Sequence, residues 1–296
     1  MSGTSTITQG DYQGFPALLI RTPQASAALS LHGGQLLSFV PHGFDDLLWL
    51  SPNSTRPPGA IRGGVPVCWP YFGQQGQAAA VPQHGFARNG MWTLQDAQPD
   101  SEGEVTLQLE LPMHDASGLR LTQTLRIGEV LQQSLITENP GSTTVTFTQA
   151  LHSYFKVGDA TRVHITGLRG LRYADRYDGG EHQQAGDWTL QDPRDPGRSD
   201  RTYQSTGDCF ELHDPVLRRC ITLQTSGSRS LVVWNPGESG IAAIADAPAD
   251  SWRDFVCLET ANAGEDVIEL APGQRHTLQQ TLGVSPVSAE TPLSML

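Results

Sequence analysis

Glu104-Val-Thr-Leu-Gln-Leu-Glu-Leu111 decides the fold class of this 296-residue chain. Val105, Leu107, Leu109 and Leu111 alternate with polar residues, the period of a strand with one buried face. Leu119, Leu121, Leu125 and Ile127 repeat the pattern. Segments 130–138 and 143–151 follow it, with Asn139-Pro-Gly141 as the turn between them. Three or four adjacent antiparallel strands are predicted here. Further strand candidates lie at 162–168, 220–225, 230–234, 255–259 and 275–282. No long window keeps a helical period, so the chain reads as all-β, a sandwich or barrel of short strands separated by turns. At this length, large twisted sheets packed face to face are expected. No internal repeat or domain boundary is visible, which predicts a single β-sandwich domain over 1–284 and a flexible tail over 285–296. Segment 175–208, rich in Gly, Asp, Gln and Pro, is expected to be a long loop.

The net charge is −12, from 31 acidic and 19 basic residues. Such a chain lacks the basic footprint of a nucleic-acid binder and is repelled by anionic membranes. An anionic ligand would need a local cluster of arginines to hold it. Lys156 is the single lysine, so arginine is common everywhere and a given arginine is marked only by its surroundings. The N-terminus has neither a basic start nor an apolar run, and no stretch approaches the ~18 apolar residues of a membrane span. A cytoplasmic protein is expected. Cys68, Cys209, Cys220 and Cys257 show no C-x-x-C spacing and read as buried free thiols, with a Cys209–Cys220 bridge left open. The nine histidines show no metal-ligand spacing either.

Two Gly/Pro-rich segments stand out: Arg62-Gly-Gly-Val-Pro-Val-Cys-Trp-Pro-Tyr-Phe-Gly73 and Gln83-His-Gly-Phe-Ala-Arg88. Arg62 and Arg88 offer planar N–H forks suited to a phosphate or carboxylate. Trp69, Tyr71, Phe72 and Phe86 could cover the C–H face of a pyranose while polar groups take its hydroxyls. A sugar carrying an anionic group is the ligand this pattern suggests. His152 follows the 143–151 strand and Glu259 ends the 255–259 strand, so both are expected where a sheet edge meets a loop. Taken singly, such a histidine is more often structural and such a glutamate more often solvated.

Six motifs in order carry a resemblance: Arg62-Gly-Gly-Val-Pro, Trp69-Pro-Tyr-Phe-Gly73, His84-Gly-Phe-Ala-Arg88, His152-Ser-Tyr-Phe, Val233-Trp-Asn-Pro236 and Cys257-Leu-Glu-Thr-Ala261. From about residue 15 to about 283 the chain resembles the hexose-6-phosphate mutarotases, or glucose-6-phosphate 1-epimerases, a branch of the aldose 1-epimerase superfamily. The resemblance implies a galactose-mutarotase-like β-supersandwich with a cleft across one sheet. It implies interconversion of the α and β anomers of a hexose 6-phosphate, D-glucose 6-phosphate foremost, without cofactor or metal. His152 and Glu259 match the catalytic pair. Arg62, Gln83, His84 and Arg88 match substrate-binding positions. Asp200 matches an aspartate that holds sugar hydroxyls, with Asp192 and Asp195 as competitors for that role.

The chemistry suits these residue types. Ring opening needs a base at the C1 hydroxyl and an acid at the ring oxygen. A carboxylate suits the first task and a protonated imidazole the second, so Glu259 is assigned as base and His152 as acid, exchanging on reclosure. The alternatives are an epimerase for free sugars such as galactose, and a non-catalytic sugar-binding protein on the same scaffold. A monomer acting on a small sugar phosphate is expected.

Overall fold

Val105–Leu111 lies inside an eight-stranded antiparallel sheet, paired with Thr93–Pro99 on one side and Arg120–Ile127 on the other. Leu131–Glu138, Arg275–Pro286, Arg219–Ser226, Cys209–Asp214 and His164–Thr166 complete it. The computed structural model describes residues 4–77, 81–113, 117–192, 194, 197–204 and 206–287. Val105, Leu107, Leu109 and Leu111 are all buried, as their alternation requires. Each contributes roughly 1.5–3 kcal/mol relative to an exposed side chain.

Segment 143–151 does not form the neighbouring strand. Val145–Phe147 makes a small ribbon with Ile268–Leu270, and Gln149–Lys156 enters a second sheet. Thr148 is the switch point: its N–H donates to the carbonyl of Pro70, and its Oγ1 accepts from the N–H of Phe72. The place beside Leu131–Glu138 goes to Arg275–Pro286.

The second sheet has seven strands, ordered Glu181–Gln183, Arg172–Asp175, Ser199–Gln204, Ser230–Asn235, Phe255–Asn262, Gln149–Lys156, Val67–Cys68. Segment 175–208 is therefore not one long loop. Ser199–Gln204 sits well inside the sheet and reads as polar because it buries Arg201 and Tyr203. Arg201 is matched there by Asp175 and Asp192, and Gln184 accepts from both Arg201 and the Tyr203 hydroxyl. A four-stranded N-terminal sheet, Thr6–Tyr12, Phe15–Arg21, Ala25–Ser30 and Gln35–Pro41, was not among the strands expected from sequence.

The main apolar core draws on both large sheets. A chain of buried amides crosses it. Gln280 accepts from Ser153 and Thr260 of the seven-stranded sheet and donates to Gln133. Gln133 donates to Gln123, which donates to the carbonyl of Gly34. Hydrogen bonding removes most of the penalty for burying these amides and fixes how the sheets face each other.

Some details depart from expectation. Arg275–Pro286 continues through Ser285 and Pro286, which pair with Cys220 and Arg219, so the proposed tail boundary falls within a strand. Residues 288–296 lie outside the described residues. All four cysteines are free, and Cys209 is exposed rather than buried. No helix among the described residues is long and apolar enough to cross a membrane.

The segment carrying Trp69 is laced to the one carrying His84. Trp69 N–H donates to the carbonyl of His84, and the N–H of Phe86 donates to the carbonyl of Trp69. Gly85 lies between, at φ +75°, where an added Cβ would stand 2.0 Å from the Trp69 carbonyl oxygen. Gly85→Ala is expected to destabilise the protein by about 3 kcal/mol or more, lowering Tm by roughly 6–12 °C. Gly43→Ala, at φ +84° with nothing within 4 Å, should cost only the backbone part of that loss. Equal Tm values for the two variants would remove the close approach at Gly85 as the cause.

Candidate active site

Antiparallel register builds the site on one face of the seven-stranded sheet. His152 stands opposite Glu259, and Glu259 opposite Val232. One step along, Tyr154 stands opposite Cys257, Cys257 opposite Trp234, and Trp234 opposite Asp200. Side chains two apart share a face, so these two rows point the same way. Leu151, Ser153, Leu258 and Thr260 point the other way, into the core and its amide chain. His152 and Glu259 therefore lie within central strands, not where a sheet edge meets a loop.

These rows floor a cleft of about 250 Å3 whose walls include Arg62, Phe72, Gln83, His84, Arg88 and Arg176. The volume lies below the ~300–1,000 Å3 usual for drug-sized ligands and suits a single sugar ring. Phe72 and Trp234, with Val232 and Ile244, supply the apolar part of the cleft.

His152 Nε2 lies 3.4 Å from Glu259 Oε1. Glu259 is 1% exposed and His152 8%. Burial, and then the charge of Asp200, pushes the Glu259 carboxyl well above the usual carboxylate range. Burial, followed by His84, Arg88 and Arg62, holds His152 well below its ordinary value. Both shifts favour a neutral pair over an ion pair in the free cleft. His152 Nδ1 and Glu259 Oε2 are buried with no hydrogen-bond partner among the described residues. Buried atoms of this kind are costly unless a ligand or water meets them.

Tyr154 stacks on His152 with ring centroids 4.8 Å apart and planes 10° apart. The Tyr154 hydroxyl accepts from Arg62 NH1, while Arg62 Nε donates to Asp246 Oδ1 at 3.0 Å. Two nitrogens of the Arg62 fork are thus engaged in orienting the site. His84, at φ +66°, accepts at Nδ1 from the N–H of Gly73. Burial and the charges of Arg88, Arg176 and Arg62 push its pKa down to about 3, so it is neutral at physiological pH. With Nδ1 accepting, the neutral ring carries its proton on Nε2. Arg88 NH2 donates to the carbonyl of Gln83, and Arg88 Nε is buried without a partner among the described residues.

Every site residue expected from sequence lines this cleft: Arg62, Gln83, His84, Arg88, His152, Asp200 and Glu259. Asp192, a competitor of Asp200, instead pairs with buried Arg201; Asp195 lies outside the described residues. Arg176 was missed. It sits in the turn after Arg172–Asp175, and its NH1 lies 3.8 Å from Asp200 Oδ2. Reading 175–208 as a loop hid it, since only strand pairing brings that turn over the cleft. Spacing also missed a grouping of possible metal donors, because the donor atoms of His152, Cys257 and Glu259 lie within 4.8 Å of one another although two of these residues are over 100 positions from the third.

The family model described as aldose 1-epimerase matches residues 16–283. A protein of Escherichia coli (strain K12) named "Putative glucose-6-phosphate 1-epimerase" is 37% identical over 84% of this chain and 83% of its own length. A Salmonella typhimurium protein of the same name is 34% identical over 95% of both chains. The crystal structure of a "putative mutarotase (YeaD)" from Salmonella typhimurium superposes with a TM-score of 0.85 at 32% identity, covering 95% of this chain and 94% of that one. A galactose mutarotase-like protein from Clostridium acetobutylicum, at 12% identity and a TM-score of 0.73 over 96% and 99% of the two chains, shares the fold. The β-sandwich, the motif order and the matched span lead to one conclusion: the chain belongs to the aldose 1-epimerase family.

Proposed function

We propose that this protein interconverts the α and β anomers of a hexose 6-phosphate, with D-glucose 6-phosphate as the expected substrate. The observation that carries the reading is a facing His152–Glu259 pair beneath a cleft rimmed by three arginines in a chain of net charge −12. Arginines gathered against the overall charge fit a phosphate better than a neutral sugar. In this reading Arg88 and Arg62 bind the phosphate, Arg176 adds a third positive charge, and Gln83, His84 and Asp200 hold hydroxyls. Phe72 and Trp234 pack against the C–H faces of the ring.

Glu259 takes the proton from the C1 hydroxyl while His152 protonates the ring oxygen as the C1–O5 bond breaks. Rotation about C1–C2 and reclosure with the roles exchanged give the other anomer. The pair needs one mobile proton in total. The neutral pair of the free cleft and the ion pair that starts this step differ only in where that proton sits across the 3.4 Å contact. A bound phosphate dianion would offset the charges of Arg88 and Arg62, which are among the causes that hold His152 down. Substrate binding thereby favours the protonated imidazole that opening requires.

Magnetisation-exchange NMR on the anomeric protons of glucose 6-phosphate and of glucose tests this directly. Strong acceleration for the phosphate and weak acceleration for glucose is expected. Acceleration of glucose alone would support the free-sugar reading, and binding without exchange a sugar-binding protein.

Glu259→Gln should keep the fold and the affinity but lose about 10²–10⁴-fold in exchange rate. Wild-type rates in that variant would take Glu259 out of the mechanism. Arg88→Ala should lower kcat/KM for hexose 6-phosphate by about 10–100-fold, the loss of a charge-assisted hydrogen bond, while free hexose changes by less than about 3-fold. Arg176→Ala, at a side chain 68% exposed, should show the same selectivity at about 3–10-fold. Equal losses on both sugars would sink the phosphate role for either arginine.

The pH profile follows from the two shifts. Adding a second proton to the pair is resisted by the lowered His152, and removing its single proton is resisted by the raised Glu259. Activity should fall only below the ordinary histidine range and well above the ordinary carboxylate range. With free hexose, whose own charge does not titrate in this range, the rate should show no inflection at the ordinary histidine value. An inflection near 6.5, the ordinary histidine value, would contradict the assignment.

A further inference from the structure

A second group of chemically active side chains lies on the eight-stranded sheet, on the face turned away from the core. Glu211 and His213 are two apart on Cys209–Asp214 and share that face. Cys220 of Arg219–Ser226 stands directly opposite His213 on one side, and His164 of His164–Thr166 directly opposite on the other. Three residues of metal-binding type, Cys220, His213 and His164, thus form one row across three strands, with Glu211 beside it. His213 Nε2 lies 3.1 Å from Glu211 Oε2 and 4.0 Å from Cys220 Sγ. The donor atoms of Glu211, His213 and Cys220 all lie within 4.8 Å of one another. The rings of His164 and His213 stack at 4.5 Å with planes 3° apart.

We propose that Glu211, His213 and Cys220 form a three-residue binding site for a thiophilic divalent transition metal of the zinc class, with the fourth position open to water. A tetrahedral zinc ion with ordinary bond lengths holds its nitrogen and oxygen ligands about 3.4 Å apart, and its nitrogen and sulfur ligands about 3.6 Å apart. The observed 3.1 and 4.0 Å differ from these by a few tenths of an ångström, within the reach of small side-chain rotations. The strands fix the Cα positions, so little order must be created on binding. A thiolate, an imidazole and a carboxylate together select zinc-like ions over magnesium or calcium, which take oxygen ligands alone. Glu211 and His213 are partly exposed, which leaves a path for the ion. The metal takes the position between His213 Nε2 and Glu211 Oε2 where a shared proton otherwise lies. His213 then binds as the neutral imidazole with its single proton on Nδ1, and any further proton held between Nε2 and Glu211 leaves to solvent together with the Cys220 thiol proton.

The test is a cobalt(II) titration of chelator-treated protein, followed by zinc competition. One equivalent should bind with a dissociation constant in the micromolar range or below, and should show the near-ultraviolet charge-transfer absorption of a cobalt–thiolate bond. Cys220→Ser should abolish that absorption, and His213→Ala should weaken binding at least 10-fold. Cys209→Ser and Cys257→Ser should retain both signals. Absorption that survives Cys220→Ser but disappears in Cys257→Ser would move the metal to the cleft and overturn the proposal. Binding only at millimolar cobalt, or without a thiolate band, would also overturn it. Glucose 6-phosphate should not displace the ion, because the two sites lie on different sheets; displacement counts against the assignment.

Discussion

The pairing of Gln149–Lys156 with Phe255–Asn262 is the constraint on which the rest of the site depends. It places His152 against Glu259 and Tyr154 against Cys257. A slip of one residue would turn every one of these side chains into the core. The other face of the same strands guards against such a slip. Ser153 and Thr260, each adjacent to a cleft residue, both donate to Gln280 of the opposite sheet. Gln280 is itself held by Gln133, and Gln133 by Gln123. A slipped register would leave these buried amides without partners, at roughly 1–3 kcal/mol for each lost hydrogen bond.

The site carries an electrostatic tension. A carboxyl and an imidazole are almost fully buried, and arginine side chains stand around them. Desolvation disfavours charge on both groups. The arginines favour a negative ligand but oppose a positive His152. In the proposed reading a dianion entering the cleft would satisfy the arginines and offset their part of the field that opposes imidazolium. On that reading binding and activation would be coupled, one way in which remote binding energy is put to use in catalysis. The unpartnered Nδ1 of His152, Oε2 of Glu259 and Nε of Arg88 mark where the protein leaves hydrogen-bonding capacity unspent around the cleft.

Legibility differed with the physical nature of each element. Strands with apolar alternation, such as Val105–Leu111 and Arg120–Ile127, were readable because burial of one face writes a period of two into the sequence. Ser199–Gln204 was not, because Arg201 and Tyr203 face inward and are compensated by Asp175, Asp192 and Gln184. A buried ion pair looks in sequence like two surface residues. Two of the N-terminal strands were passed over for another reason: Ala25–Ser30 and Gln35–Pro41 are buried on both faces and show little alternation.

By itself the sequence determined the fold class and the chemical identities of seven cleft residues, because residue type and motif order are written locally. Tertiary structure alone decided that His152 and Glu259 face each other within central strands, that Asp200 rather than Asp192 reaches the cleft, and that Arg176 stands over it. It also decided that Glu211, His213 and Cys220 converge on the opposite sheet. The reason is register. Strand pairing joins residues seven positions apart, as in His213 and Cys220, and more than a hundred apart, as in His152 and Glu259, and it depends on which of many similar strands become neighbours, a choice settled by packing and buried hydrogen bonds.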